Sequence, residues 1–189
     1  MEPTARPAAA TVEQYRALMS AFPTGVAVVT ASDESGHPFG MTCSSLTSVT
    51  LAPPVLLICL RLGSRTEATV RRRGAFAVNL LRSAAQATAE LFAGPVGDRF
   101  ARVPWAVSPS GLPWLTRDAF AVADCVVIES IEVGDHAVLF GRVGCVLQRQ
   151  APPLLYGLRR FSAWNPIEPP TPACPAASLP DPPRREKAP

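Results

Sequence analysis

Residues 40–65, GMTCSSLTSVTLAPPVLLICLRLGSR, impose an order of elements that few folds accommodate: strand, break, strand, helix start. Thr42, Ser44, Ser45, Thr47, Ser48 and Thr50 form a hydroxyl-rich run of β-favouring spacing. Pro53-Pro54 interrupts it, and an apolar run over residues 55–60 supplies a second strand. The stretch closes on Ser64-Arg65-Thr66-Glu67, the S-x-x-E form of a capping box. Hydroxyls, free backbone and a helix start beside an arginine are the ingredients of a cradle for a phosphate-bearing ligand.

The flanks continue the pattern. Thr11 and Gln14 read as another capping box, and Tyr15, Leu18, Met19 and Phe22 recur at helical spacing until Pro23 stops the helix. Residues 26–31 read as a strand that returns through residues 39–45 after the turn at 32–36. The Ser64-capped helix is expected to turn Ala68 and Val70 inward and to end at Gly74. A strand follows over residues 75–81, then a helix capped by Ser83 and Gln86. Residues 95–113 read as irregular. Residues 120–133 and 137–147 are long strand-like runs joined at Gly134-Asp135, a hairpin turn. Strands dominate, and the helices interrupt rather than alternate with them. The expected fold is mainly β: a closed or nearly closed barrel with short peripheral helices.

A 189-residue chain with 48% hydrophobic residues supports one such domain, expected over residues 11–164. Residues 1–10 read as a loose arm. From residue 165 the composition shifts to nine prolines in 25 residues, which predicts a disordered tail without a core. A net charge of +3 without a basic-aromatic stripe gives no footprint for nucleic acid. No apolar run reaches the ~18 residues of a membrane span, and the start has no secretory pattern. Five scattered cysteines without a C-x-x-C pair read as reduced thiols, so the expectation is a cytoplasmic protein without a metal site. G-x-S-x-G, G-x-G-x-x-G and Walker-type motifs are all missing, as is an evident pair of catalytic carboxylates.

The pieces taken together resemble the flavin reductase family, the small NAD(P)H:flavin oxidoreductases of two-component monooxygenases. Residues 15–30 (YRALMSAFPTGVAVVT) resemble its opening helix and F-x-T-G-V-x-V-V-T strand. Residues 40–54 resemble its G-M-T-x-x-S-x-T-S-V-S-L-x-P-P segment, and Ser64 with Thr66 its S-x-T. Residues 76–80 resemble F-x-V-N-x-L, and residues 92–100 F-A-x-x-x-x-D-R-F. Gly134-Asp135-His136 resembles G-D-H, and residues 153–156 resemble P-L-L-Y. The similarity runs over about residues 12–162.

The resemblance implies an FMN-binding split β-barrel of Greek-key type. It implies a homodimer that binds FMN or FAD, oxidises NADH or NADPH, and hands reduced flavin to a flavin-dependent monooxygenase. It sets Thr42, Cys43, Ser44 and Ser45 beside the flavin ring, with Ser48 and Val49 nearby. Ser64, Arg65 and Thr66 would meet the flavin phosphate. Asn79 is a flavin contact or a buried amide that bonds backbone. His136 would orient the nicotinamide or move the proton that accompanies hydride transfer, and Tyr156 would pack over the same space or into the core. Asp98-Arg99-Phe100 reads as an ion-paired loop or subunit contact. Ser44 stands where many members have asparagine, and residues 157–161 (GLRRF) replace an aromatic-Arg-Gly-aromatic run. Two alternatives stay open: a flavin-binding protein without reductase activity, and an oxidase of the same fold with tightly held FMN.

Overall fold

The computed structural model describes residues 9–165. Most of the expected arm, the Pro-rich tail and Cys174 lie outside the described residues. Three α-helices, α1 (Val12–Ser20), α2 (Arg65–Arg73) and α3 (Gln86–Ala93), accompany twelve strands. These are β1 (Thr24–Gly25), β2 (Ala27–Ser32), β3 (Pro38–Cys43), β4 (Thr47–Leu51), β5 (Pro54–Arg61), β6 (Ala75–Leu81), β7 (Ala106–Val107), β8 (Pro113–Trp114), β9 (Ala119–Val133), β10 (His136–Gln148), β11 (Leu154–Gly157) and β12 (Arg160–Ala163). No described helix is long and apolar enough to cross a membrane.

Seven strands form one antiparallel sheet in the order β3-β2-β6-β9-β10-β5-β4. The sheet curls until its two ends approach. Ser45 bridges the gap: its Oγ donates to the Cys59 carbonyl at 3.1 Å and accepts the Cys59 N–H at 3.1 Å, with the Cys43 sulfur 4.0 Å from the same carbonyl. A hydroxyl with both donor and acceptor capacity substitutes there for a backbone ladder step. Between β3 and β5 the barrel is otherwise split, which leaves β3 as an edge strand paired only to β2.

Strand β2 explains the layering. Ala27, Val29 and Ala31 face the barrel interior with Ile58, Leu60, Phe76 and Leu139. Val28, on the opposite face, packs with Ala89, Phe92, Leu112 and Leu115 under the outer elements. Both faces are covered, so every residue of β2 is buried. On the Val28 face the strand also carries Thr30 and Ser32, whose buried hydroxyls donate to the Pro113 and Gly111 carbonyls of the covering segment. Gly141 opens the interior for Phe76: a Cβ at that position would stand 2.5 Å from the ring.

Helix α1 starts at Thr11 with both bonds of the expected capping box. Helix α2 is capped by Ser64, whose Oγ accepts the Glu67 N–H at 3.2 Å, and it ends at Gly74 with φ 68°. The return bond of its box is shifted by one residue, because the Glu67 carboxylate takes the Gly63 N–H at 3.2 Å.

Two expectations are corrected. Ala68 is exposed, and the buried face of α2 is Thr66, Glu67, Thr69 and Val70. Ala68 and Val70, two residues apart, cannot share a helix face, whereas Thr66, Thr69 and Val70 can. Ser83 caps nothing with its side chain; a 3-10 turn (Ser83–Ala85) precedes α3, and the Ser83 N–H bonds the Pro152 carbonyl.

Candidate flavin site

The open edge of β3 gathers most of the sequence-predicted residues, at three heights. At its middle, Met41 touches the start of α2: Ser64 Oγ lies 3.8 Å from the Met41 sulfur. The first intrahelical bond of α2 is Ala68 N–H to Ser64 C=O, and Glu67 N–H is taken by the cap. The Arg65 and Thr66 amides are therefore unused by the helix. Together with the Ser64 and Thr66 hydroxyls and the exposed Arg65 guanidinium, they offer an anion several converging donors and the positive end of a helix dipole.

Toward its C-terminal end, β3 runs into a cavity of about 340 Å³ lined by Ser44, Ser45, Leu46, Met19, Phe22 and Tyr156. Ser44 is exposed there, while the Ser45 hydroxyl is engaged by Cys59. Thr42 turns outward and donates to the Ala89 carbonyl at 2.6 Å. Cys43 points into the barrel, and burial raises its thiol pKa, which removes it as a thiolate nucleophile.

Toward its N-terminal end, β3 borders a larger cavity of about 510 Å³ that also contains Ser64, Arg65 and Thr66. Its walls are His37 to Met41 on one side and the loop of residues 95–100 on the other. Arg99 pins that loop to the strand edge: one terminal nitrogen donates to the Gly40 carbonyl at 2.8 Å, the other to Gly94 C=O. Its Nε is buried without a partner. The expected ion pair of the Asp98-Arg99-Phe100 cluster is replaced by these carbonyls, and Phe100 packs edge-on against Phe92 in the core.

His136 sits elsewhere on the rim. It follows the β9–β10 turn, with Arg61 as its cross-strand neighbour on β5. Its Nδ1 lies 2.7 Å from Asp135 Oδ1, and this contact, with Arg61 nearby, holds the Asp135 carboxyl below the usual range. The Leu62 N–H bonds the Asp135 carbonyl at 2.9 Å, which ties the hairpin to the segment that leads into α2. His136 and the α2 start therefore share one end of the barrel.

Three sequence candidates stand apart. Asn79 is fully buried, with Nδ2 donating to Val28 C=O and Thr30 Oγ1 (both 3.1 Å) and Oδ1 accepting Leu115 N–H at 2.8 Å. It lines neither cavity. Ser48 and Val49 are exposed on β4 and also line neither. Conversely, His37, Gly40, Met41 and Arg99 border the larger cavity without having been singled out as contacts. Gly40 and Met41 lie in the G-M-T segment and Arg99 in the D-R-F cluster; His37, between the 32–36 turn and the returning strand, carries no such signal.

The donor set fits a flavin mononucleotide portion: helix-start amides, hydroxyls and an arginine for a phosphate, and an edge strand with an apolar cavity for a ring. Among the described residues no three His, Cys, Asp or Glu side chains gather as metal ligands. The groups at this edge are binding groups, and a cofactor held by them would supply the redox chemistry.

Comparisons with known proteins give the family. The family model described as "Flavin reductase like domain" matches residues 19–165. The chain is 54% identical over 157 residues to a flavin reductase (NADPH) of Lentzea aerocolonigenes, covering 82% of this chain and 92% of the relative. It is 36% identical over 154 residues to the reductase subunit of a flavin-dependent monooxygenase from Rhodococcus jostii, covering 81% and 78%. A solved NADH:FAD oxidoreductase from Streptomyces globisporus, in complex with NAD and FAD fragments, superposes with a TM-score of 0.77 at 32% identity, covering 82% and 93%.

Proposed function

The chain belongs to the flavin reductase like family, and we propose from its β3 edge that it binds flavin there as an NAD(P)H:flavin oxidoreductase. The carrying observation is colinearity. The phosphate donors at Ser64–Thr66 and the ring-sized cavity at Ser44 and Tyr156 lie along one strand. Met41 and Ser45 are four residues apart, ~13 Å of extended chain.

The bound flavin supplies the hydride acceptor, and NADH or NADPH the hydride. The protein's part is placement. Ser64, Arg65 and Thr66 hold the phosphate. Ser44 and the free backbone of β3 orient the ring edge, and the cavity under Tyr156, Met19 and Phe22 excludes water from it. Asp135 fixes the His136 ring through Nδ1, which leaves Nε2 to meet the nicotinamide carboxamide or to hold a proton. The partner would be a flavin-dependent monooxygenase that takes up the reduced flavin; the Rhodococcus relative is named as the reductase subunit of such an enzyme.

The oligomer is a homodimer. Helix α1 has no buried residue; Tyr15 and Leu18 on it are 59% and 68% exposed, and Phe22, just past its end, 63%. Such a stripe on a short helix requires a cover. Met19 and Phe22 also line the smaller cavity, so a second copy laid on α1 would complete the ring site.

The decisive assay is NADH and NADPH oxidation, followed by loss of the nicotinamide absorbance, with FMN, with FAD and with no added flavin. Oxidation that requires added flavin is expected. Folded protein that binds flavin but oxidises neither nucleotide would overturn the reductase reading.

A further inference from the structure

Helix α2 carries a charge that an anion site at its start does not favour. Glu67 follows Thr66 in the same first turn, and its carboxylate is buried. A buried carboxylate repels a phosphate bound beside it and is screened only weakly by salt. Its contacts show what it does there. Oε2 accepts the Gly63 N–H at 3.2 Å, which holds the loop that leads into the cap. Oε1 lies 3.3 Å from Arg71 Nη1, one turn along the helix. The same nitrogen donates to Glu132 Oε1 at 2.6 Å. Glu132 is on β9 opposite Ala137, the neighbour of His136 on β10. The turn between these strands also bonds the cap loop, through Leu62 N–H and the Asp135 carbonyl. The hairpin that bears His136 is thus tied to α2 twice: by backbone through the loop, and by Arg71.

We propose that Arg71 is a positioning residue for both cofactors: it cancels the Glu67 charge beside the flavin phosphate and, through Glu132, steadies the hairpin that presents His136. The inference rests on the flavin reading above. It goes beyond that reading because two binding events then depend on a side chain that lines neither cavity. The simpler role for Arg71 is a cation at the negative end of the α2 dipole, a place that Arg72 and Arg73 share. Contacts separate the three. Arg73 donates to the Ser110 and Gly111 carbonyls. Arg72 makes no ion pair among the described residues. Of the three, Arg71 alone faces carboxylates, one buried and one exposed. A phosphate monoester carries about −1.5 to −2 charges at neutral pH, so an uncancelled Glu67 opposes FMN. Riboflavin, which ends before the phosphate, is indifferent to it.

That difference supplies the test. Dissociation constants for FMN and riboflavin would be measured by flavin fluorescence on the wild-type, Arg71→Met, Arg72→Met and Glu67→Gln/Arg71→Met proteins. Arg71→Met leaves the buried carboxylate uncompensated and should weaken FMN about tenfold. Its riboflavin affinity should stay within about threefold, which also reports an intact ring site. The double variant should return FMN to within about threefold of wild type, because glutamine keeps an acceptor for the Gly63 N–H without the charge. Arg72→Met removes an equal dipole cation and should change neither ligand. Parallel loss of FMN and riboflavin in Arg71→Met overturns the proposal, as does a double variant that fails to recover FMN or an equal loss in Arg72→Met. The hairpin half is read from the KM for NADH and NADPH at saturating flavin. Glu132→Ala should raise it about two- to fivefold, the scale of an exposed ion pair, with FMN affinity held. An unchanged KM overturns the link to His136. Wild-type protein that binds FMN no more tightly than riboflavin would instead remove the phosphate site, and one that binds neither would sink the flavin reading itself.

Discussion

Asn79→Ala separates a structural amide from a flavin contact. The amide makes three bonds inside the molecule: two donated, to Val28 C=O and Thr30 Oγ1, and one accepted from the Leu115 N–H at 2.8 Å. Thr30 keeps its own bond to Pro113 C=O after the substitution. The Leu115 N–H keeps nothing, because Leu115 and its surroundings are fully buried. An orphaned buried amide costs about 1–3 kcal/mol, and each further bond lost about 0.5–1.5 kcal/mol net. A total of roughly 2–6 kcal/mol follows, without credit for relaxation. At ~2–4 °C per kcal/mol for a domain of this size, the Tm should fall by roughly 4–24 °C. Urea unfolding with an unchanged slope is the better measure, since it separates stability from altered compactness. Under conditions where the variant is folded, its flavin affinity should stay within about threefold of wild type. A loss below about 1 kcal/mol would refute the hydrogen-bond argument. A stable variant with flavin affinity lowered tenfold would show that Asn79 serves the ligand.

Ser64→Ala with Thr66→Ala should weaken flavin binding about tenfold or more while turnover at saturating flavin changes little; equal affinity would remove the phosphate assignment. His136→Ala should raise the KM for NAD(P)H several-fold and leave the flavin dissociation constant alone, and an unchanged KM would detach it from the nicotinamide. Leu158 and Arg159 form the β11–β12 turn with φ of 51° and 59°, a region that costs a non-glycine residue about 1 kcal/mol. Arg159→Gly should therefore raise stability by about that amount in urea unfolding, and a loss of stability would contradict the strain argument.

Local signals were legible and distant ones were not. The caps at Thr11, Ser64 and Gly74 and the Gly134-Asp135 hairpin depend on residues within a turn of one another, so a linear reading finds them. The barrel closure needs Ser45 to meet Cys59, and the cavity wall needs Arg99 to meet Gly40; no spacing encodes either pair. Ala68 misled because a nine-residue helix with two apolar positions defines no face, and α2 instead buries Glu67, whose carboxylate is bound by Gly63 and Arg71. The helical stripe of Tyr15, Leu18 and Met19 is legible, but α1 ends at Ser20, short of Phe22 and Pro23, and the exposure of the stripe is visible only once the rest of the core is seen to be full. Asn79 had two readings because a buried amide and a ligand amide are the same residue until their neighbours are known.

The split beside β3 also has a bearing on solubility. An unpaired strand edge is a template for another chain's backbone, and most proteins blunt theirs with lysines, bulges or a covering helix. Within β3 (PFGMTC) there is no charge, and its only proline stands at the first position. A ligand lying along it would act as a removable eighth strand. Protein stripped of flavin should therefore be the aggregation-prone form, and free flavin should suppress its self-association as mass action fills the edge.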